Sequence, residues 1–330
     1  MYASHFHEEY GQAEGFGWGP ASPSFDWSTL LYNKNEEIQR LNKVYRGLLD
    51  GAGVTHYDGR ARIVDDHHVA INDTTVSTDK ILIATGGWPD IPDFLGNEHV
   101  ITSNEAFFMD ELPKRALVIG GGYIAVEFAG IFAGLGVESH LSYRGPLFLR
   151  DFDQDVRAFV YDELRKKDIN IHFNSVVSAI EKQADGSLKV DFTDGSTLDT
   201  ELVLVATGRK PNVQDIGLEN VAINCSENGA IIVDQEFRTS VSNIFALGDV
   251  TDRVQLTPVA IAEAMAFSST QFKGVRKLMD YDGIATAVFC QPNIGMVGMT
   301  EEQAREECGE IEIYRSAFKA MKHALSGSDE

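Results

Sequence analysis

The sequence predicts an α/β protein whose parallel β-strands end in tight, glycine-containing turns. Three observations lead there. Residues 116–210 alternate apolar strands with amphipathic helices, and strand–helix–strand alternation implies parallel sheet with right-handed crossovers. A glycine-rich turn, Gly120-Gly121-Gly122-Tyr123-Ile124-Ala125, joins one such strand to one such helix. Two Ala-Thr-Gly strings, Ala84-Thr85-Gly86 and Ala206-Thr207-Gly208, close apolar strands further along.

Composition narrows the function classes. The 330 residues are 43% apolar and 24% charged, an ordinary globular balance with room for two or three domains. No run of about 18 apolar residues is present to span a membrane. The start, MYASHFHEEYGQ, has neither the basic stretch nor the apolar core of a signal peptide. A net charge of −22 argues against nucleic acid or an anionic membrane as partner, because phosphate binding needs clustered Lys and Arg. The three cysteines, Cys225, Cys290 and Cys308, are far apart, with no metal-like or C-x-x-C spacing. No disulfide framework follows, so a cytoplasmic setting is expected.

Residues 1–30 are rich in aromatics, Gly and Ser and show little periodicity. From Trp27 to Leu49 apolar residues recur at helical spacing, closed by Asp50-Gly51. Short β-like runs with turn residues between them follow, ending in KILIATGG, the pattern of a small antiparallel meander feeding a buried strand. Within it, Asp65-Asp66-His67-His68 looks superficially like a metal cluster but is expected to straddle a hairpin turn, with no metal bound. After Pro89 and Pro92 come the strand RALVIGGG, the helix YIAVEFAGIFAGLG, the strand VESHLSY, a helix at 153–167, the strand INIHFN and two more strands ending at LVLVATGRK. Residues 211–283 end in a strand, a Gly-Asp turn and a helix, and a new strand pattern starts at Ile284.

The chemistry concentrates at the turns. In G-x-G-x-x-A, Gly120 suits a tight turn, Gly122 lets the backbone approach a pyrophosphate, and Ala125 permits close helix–strand packing. The helix that follows offers free N–H groups and a partial positive charge to phosphates. Because strand, helix and second strand all flank the turn, a dinucleotide-binding Rossmann unit is expected. A ribose-binding acid would stand at the end of the second strand in an NAD site. That end reads Leu141-Ser142-Tyr143-Arg144, with no carboxylate, and Arg150 follows six residues on. A guanidinium fork holds a 2′-phosphate that a carboxylate would repel, so NADP(H) is favoured. The other reading of the two arginines is ordinary surface charge.

A second nucleotide signature is spread along the chain. Ala84-Thr85-Gly86 and Gly208-Arg209 lie at strand ends, where a parallel sheet opens its ligand crevice. The strand through Leu247 closes with Gly248-Asp249, a glycine that admits a cofactor chain and a carboxylate that accepts from a polyol hydroxyl. Leu256-Thr257-Pro258 then opens a helix, with proline suited to its first turn.

This order of motifs resembles the class I pyridine nucleotide-disulfide oxidoreductases, and within them is most similar to the glutathione reductases, over nearly the whole chain. The resemblance implies two Rossmann-like three-layer domains, FAD- and NAD(P)-binding, plus an α+β dimerisation domain. It implies a partial FAD-binding domain over 1–94, an NADP(H)-binding domain over 95–210, the second part of the FAD-binding domain over 211–283, and the start of the dimerisation domain over 284–330. By resemblance, Gly120, Gly122, Tyr123, Ile124, Ala125, Glu127, Arg144, Arg150 and Gly208 hold NADP(H). Tyr123 would lid the flavin, and Glu127 would lie beside it, paired with a lysine. FAD would be held by Ala84, Thr85, Gly86, Arg209, Gly248, Asp249, Leu256, Thr257 and Pro258, with Asp249 on the ribityl chain. Tyr45 would contact the disulfide substrate, expected to be glutathione disulfide, and the parent enzyme would be a homodimer. The implied reaction passes a hydride from NADPH to the flavin and electrons onward to a disulfide.

The sequence departs from that pattern in four ways. No G-x-G-x-x-G for the FAD pyrophosphate precedes Ile81, no C-x-x-x-x-C dithiol is present, and no His-Pro-Thr acid/base motif is found. The fourth departure is Ala262-Glu263-Ala264-Met265, where several glutathione reductases carry a substrate-binding arginine at the last of these positions. Trypanothione reductases also lack that arginine. The expectation is therefore a piece of a longer enzyme lacking both ends, with no catalytic residue of its own and exposed apolar surface over residues 1–94. Its alternatives are a truncated NADP(H)-binding module, or another flavoprotein of the same fold such as dihydrolipoamide dehydrogenase, mercuric reductase or trypanothione reductase.

Overall fold

In the computed structural model, which describes residues 1–19 and 23–329, four apolar runs pair as one parallel sheet. The strand order is Leu202–Val205, Arg115–Ile119, Glu138–Tyr143, Asn170–Phe173. Both faces of the sheet are covered, as the unbroken apolar character of its central strand requires. Ala116 and Val118 point to a core shared with the helices Tyr123–Gly134 and Gln154–Lys166. Leu117, one residue out of phase, points the other way, into a core with Val177, Val190 and Phe192.

That second face is an antiparallel sheet in the order Thr197–Thr200, Leu188–Phe192, Val177–Lys182. Sequence reading expected two strands between residue 174 and the Ala206 turn; four form. Asp185-Gly186 and Asp194-Gly195 each close a tight hairpin, with both glycines at positive φ, so the stretch folds back twice before Leu202–Val205 joins the parallel sheet.

The segment Tyr2–Ala13 is helical, which the sequence did not lead us to expect. Its aromatic residues Tyr2, Phe6 and Tyr10 are exposed, and the residue it buries is Ser4. Ser4 packs on Gly134, where an added Cβ would lie 2.7 Å from the serine Cβ. A helix seated through serine and glycine shows no hydrophobic stripe, so periodicity misses it. These elements belong to one compact unit, made of Met1–Glu36, Asp90–Gly208 and the chain from Asp282 onward. The last part holds the antiparallel pair Thr286–Val288 and Ile294–Met296 and the helix Glu301–Cys308, capped reciprocally by Thr300 and Gln303.

The other unit consists of Glu37–Pro89 and Arg209–Tyr281. Its meander, Ala61–Asp65, His68–Ile71 and Thr74–Ser77, is antiparallel, and Asp66-His67 is its first turn, as expected. His68 Nδ1 bonds its own hairpin partner Asp65 at 2.8 Å, and no group of three or more possible metal ligands forms among the described residues. Ile81–Ile83 pairs in parallel with Ile244–Ala246, and Gly87–Pro89 pairs antiparallel with Arg209–Pro211. Ile63, Ile81, Ile83, Ile231 and Ile244 form the core that joins the two segments. The helix Trp27–Gly51, whose residues up to Glu36 belong to the first unit, buries none of its residues, leaving Tyr32, Ile38, Val44, Tyr45, Leu48 and Leu49 exposed. This is the exposed apolar surface expected over residues 1–94.

Candidate functional site

Two separate constellations emerge, one in each unit. In the first, the strand Arg115–Ile119 runs into Gly120 at φ +150°, a conformation L side chains rarely adopt. A Cβ there would stand 2.2 Å from the Ala206 carbonyl oxygen and 3.1 Å from the Ala125 Cβ, so the turn tolerates only glycine. Gly122 differs. A Cβ at Gly122 would meet nothing within 4 Å, so its bareness leaves open space in front of the helix Tyr123–Gly134 that it caps. Gly122 has no side chain to cap the first-turn N–H groups, and such groups suit an anion. That open cradle fits a dinucleotide pyrophosphate.

Around it stand the other expected residues. Ala125 is fully buried, Ile124 and Tyr123 pack partly on the same core, and Tyr123 is the first residue of the helix. Arg144 and Arg150 flank the loop after the strand Glu138–Tyr143; both are exposed, and neither has a hydrogen-bond or ion-pair partner among the described residues. The Ala206-Thr207-Gly208 turn is fixed from below, with Thr207 Oγ1 donating to the Asp90 carbonyl at 2.9 Å and the Asp90 N–H donating to Gly208 at 3.0 Å. Glu127 lies on the same helix and accepts the Phe289 N–H at 2.9 Å. Burial pushes its carboxyl above the usual range, with the Phe289 N–H opposing.

The second constellation draws together the dispersed FAD-type residues. Thr85 Oγ1 donates to the Asn212 carbonyl at 2.7 Å, and the Asn212 N–H returns a bond to Gly86 at 2.9 Å. Arg209 Nη2 donates to the Gly87 carbonyl at 2.5 Å, and a Cβ on Gly87 would lie 3.5 Å from the Asp249 Cβ. The Ala84-Thr85-Gly86 turn, Arg209 and Asp249 therefore line one spot. Gly248, at φ +72°, abuts Ala260 in the helix Thr257–Phe272, which Leu256 caps and Pro258 opens. The Asp249 carboxylate is half-buried with no side-chain partner among the described residues, which fits a hydroxyl-bearing ligand. Tyr45 stands apart on the exposed helix at 64% exposure.

Two residues that sequence reading missed support these sites. Glu263, 1% exposed, accepts the Gly248 N–H at 2.7 Å and the Tyr281 hydroxyl at 2.6 Å, and Tyr281 in turn accepts from Arg253 at 2.8 Å. Burial and then Glu263 raise the Tyr281 phenol pKa, so it stays a donor. The available signal was a lone glutamate inside the apolar run TPVAIAEAMAF, which needs partners if buried. Arg157 donates to the Leu147 and Phe148 carbonyls of the arginine-bearing loop. Its signal was a cation in the first turns of a helix, where the dipole disfavours it. The cysteines stay out of both constellations: Cys225 and Cys308 are exposed, and Cys290 is buried with its thiol pushed up to about 12, chiefly by desolvation.

Residues 3–264 match the family described as pyridine nucleotide-disulphide oxidoreductase, and residues 284–330 match the dimerisation domain of the same family. The chain is 44% identical to glutathione reductase of Burkholderia cepacia over all of this chain and 73% of that one. It is 44% identical to the chloroplastic/mitochondrial glutathione reductase of Pisum sativum, over 99% of this chain but 59% of that one. With trypanothione reductase of Leishmania donovani the identity is 40%, over 96% and 68% of the two chains. Among solved structures, the HOCl-induced flavoprotein disulfide reductase RclA from Escherichia coli superposes with a TM-score of 0.84 at 28% identity, covering 94% of this chain and 69% of that one. The chain belongs to the pyridine nucleotide-disulphide oxidoreductases, FAD- and NADPH-dependent flavoproteins that act on disulfides.

Proposed function

We propose that this chain supplies the NADPH-binding module and the ribityl-binding part of the FAD site of a reductase acting on glutathione disulfide. The observation that carries the cofactor half is the pair Arg144 and Arg150, exposed and unpartnered among the described residues beside a strand end that lacks a carboxylate. Gly120, Gly122 and the helix start receive the pyrophosphate, Tyr123, Ile124, Ala125, Glu127 and Gly208 surround it, and the two guanidiniums take the 2′-phosphate. Thr85, Gly86, Arg209 and the Gly248-Asp249 turn hold the flavin's chain, with Ala84, Leu256, Thr257 and Pro258 around them. FAD, when bound, relays reducing equivalents from NADPH to a disulfide. The residues of this chain bind and orient. The sequence contains neither a C-x-x-x-x-C pair nor a His-Pro-Thr motif, so no thiol-exchange step is assigned to it.

Glutathione disulfide is favoured by the glutathione reductases among the relatives, and Tyr45 is its proposed contact. Met265, where a substrate arginine stands in several of those enzymes, favours the trypanothione-type disulfide as second reading. Residues 1–94 and 211–283 are proposed as the two parts of the FAD-binding domain, residues 95–210 as the NADP(H)-binding domain, and residues 284–330 as part of a homodimer interface. No helix among the described residues is long and apolar enough to cross a membrane, and a cytoplasmic setting is proposed.

The test is equilibrium binding of NADPH and NADH to wild type, Arg144→Ala and Arg150→Ala. Each substitution is expected to weaken NADPH by about tenfold, the loss of one charge-assisted contact, and to leave NADH unchanged. Equal affinity for both nucleotides throughout would overturn the cofactor reading. Tighter binding of trypanothione disulfide than of glutathione disulfide would overturn the substrate reading.

A further inference from the structure

We propose that Arg157 is a positioning residue for nucleotide selection: it holds the Arg144–Arg150 loop in the shape that aims both guanidiniums at a 2′-phosphate. The proposal rests on Arg144 and Arg150 being the phosphate ligands.

The loop leaves the sheet at Tyr143 and re-enters regular structure at Asp153, the N-cap of the helix Gln154–Lys166. Arg157, half-buried on the first turns of that helix, reaches back over it. Its Nη2 donates to the Leu147 carbonyl at 2.6 Å, its Nε to the Phe148 carbonyl at 2.7 Å, and its Nη1 to Gln154 Oε1 at 3.0 Å. A planar fork thus clamps two consecutive peptide groups in a fixed geometry, which a lysine ammonium, a compact point charge with rotatable donors, does not impose.

The far side of the loop is tied to the nucleotide turn itself. Leu149 sits at φ +53°, a left-handed conformation uncommon for leucine. There its N–H donates to the Gly121 carbonyl at 2.6 Å. Phe148 and Leu149 are buried beneath the loop, and the Phe152 N–H closes on the Leu149 carbonyl at 2.9 Å. A strained residue persists where its surroundings over-determine it, and here the surroundings are the Arg157 clamp, the two apolar anchors and the Gly121 bond. The same bond links the pyrophosphate turn to the arginine loop, so one framework sets the spacing between the two phosphate subsites. The loop is thereby held through Leu147, Phe148 and Leu149, while the side chains of Arg144 and Arg150 have no partner among the described residues. Holding the backbone in advance lowers the ordering cost of binding. That gain applies to a ligand carrying the 2′-phosphate and not to one lacking it.

The test uses the whole 330-residue chain and two flavin-independent probes, adenosine 2′,5′-bisphosphate and AMP, by titration calorimetry. Wild type is compared with Arg157→Met, Arg157→Lys and Arg144→Ala, and circular dichroism of each variant checks folding. Arg157→Met is expected to weaken the bisphosphate by about tenfold and AMP by less than about twofold, with Arg157→Lys in between. Equal weakening of both probes in Arg157→Met and Arg157→Lys would mark Arg157 as a general structural prop and overturn the proposal. So would an unchanged bisphosphate affinity in both Arg157 variants alongside a loss in Arg144→Ala. No loss in Arg144→Ala, or no preference of wild type for the bisphosphate, overturns the underlying phosphate reading and the proposal with it. Should Arg157→Met not fold, the ratio of the two affinities in Arg157→Lys decides.

Discussion

Removing the Glu263 carboxylate is expected to loosen the Gly248-Asp249 turn and destabilise the unit that carries it by about 3 kcal/mol. The magnitude follows from its bonds. Glu263 is 1% exposed and accepts two short hydrogen bonds, from the Gly248 N–H at 2.7 Å and the Tyr281 hydroxyl at 2.6 Å. Hydrogen bonds to charged groups each contribute about 1.5–3 kcal/mol, and alanine would leave both half-buried donors without that acceptor. Relief from burying the carboxylate offsets part of that loss, which gives the net figure. Glu263→Gln is milder, at about 1 kcal/mol: its oxygen still accepts from Gly248, but its NH₂ faces a tyrosine oxygen already accepting from Arg253 at 2.8 Å. Urea unfolding of wild type and both variants measures the two values. Hydrogen exchange at the Gly248 amide reports the turn directly and should speed up in Glu263→Ala. A change below about 0.5 kcal/mol in Glu263→Ala, the range of an ordinary surface substitution, would refute the reasoning. A glutamine variant as damaged as the alanine variant would do the same.

Three further outcomes are expected. His172, an exposed residue on the strand Asn170–Phe173, shares a hydrogen bond at 3.0 Å with His140, whose other nitrogen contacts Glu138 at 3.1 Å. Burial and then His140 depress the His172 pKa, while Asp194 raises it. The unfolded chain therefore takes up protons first, so stability present above about pH 6.5 declines as the pH falls below it. His172→Gln should flatten that decline in pH-dependent thermal unfolding, and an unchanged slope would exclude this origin. Gly134→Val would drive a side chain into Ser4 and is expected to cost about 1–3 kcal/mol; limited proteolysis should then cut first within Tyr2–Ala13. Among the cysteines, a thiol reagent should modify exposed Cys225 and Cys308 at least tenfold faster than Cys290, whose buried thiol is pushed up to about 12. Equal rates measured by mass spectrometry would contradict the burial.

How much was legible in the sequence depended on the range of the interaction. The strand, turn and helix of 115–134 and the helix from Trp27 announce themselves, because periodicity and glycine requirements act over a few residues. The hairpin at Asp66-His67 was legible for the same reason. The Ser4–Gly134 contact carries no hydrophobic signal, and the double fold-back of 177–200 was undercounted because short strands with polar alternation merge when read singly.

By itself the sequence determined the order of elements, the family to which the motifs belong and the identities of the candidate phosphate ligands, since each is set by residue type and spacing along the chain. Tertiary structure alone decided which distant residues meet. It set Asp249 beside Gly87, brought Glu263 under Gly248 and laid the Arg157 fork on the arginine loop. Those relations depend on how strands pair and helices pack across gaps of many residues. Buried polar groups must find partners in three dimensions, and linear spacing does not say which ones they find.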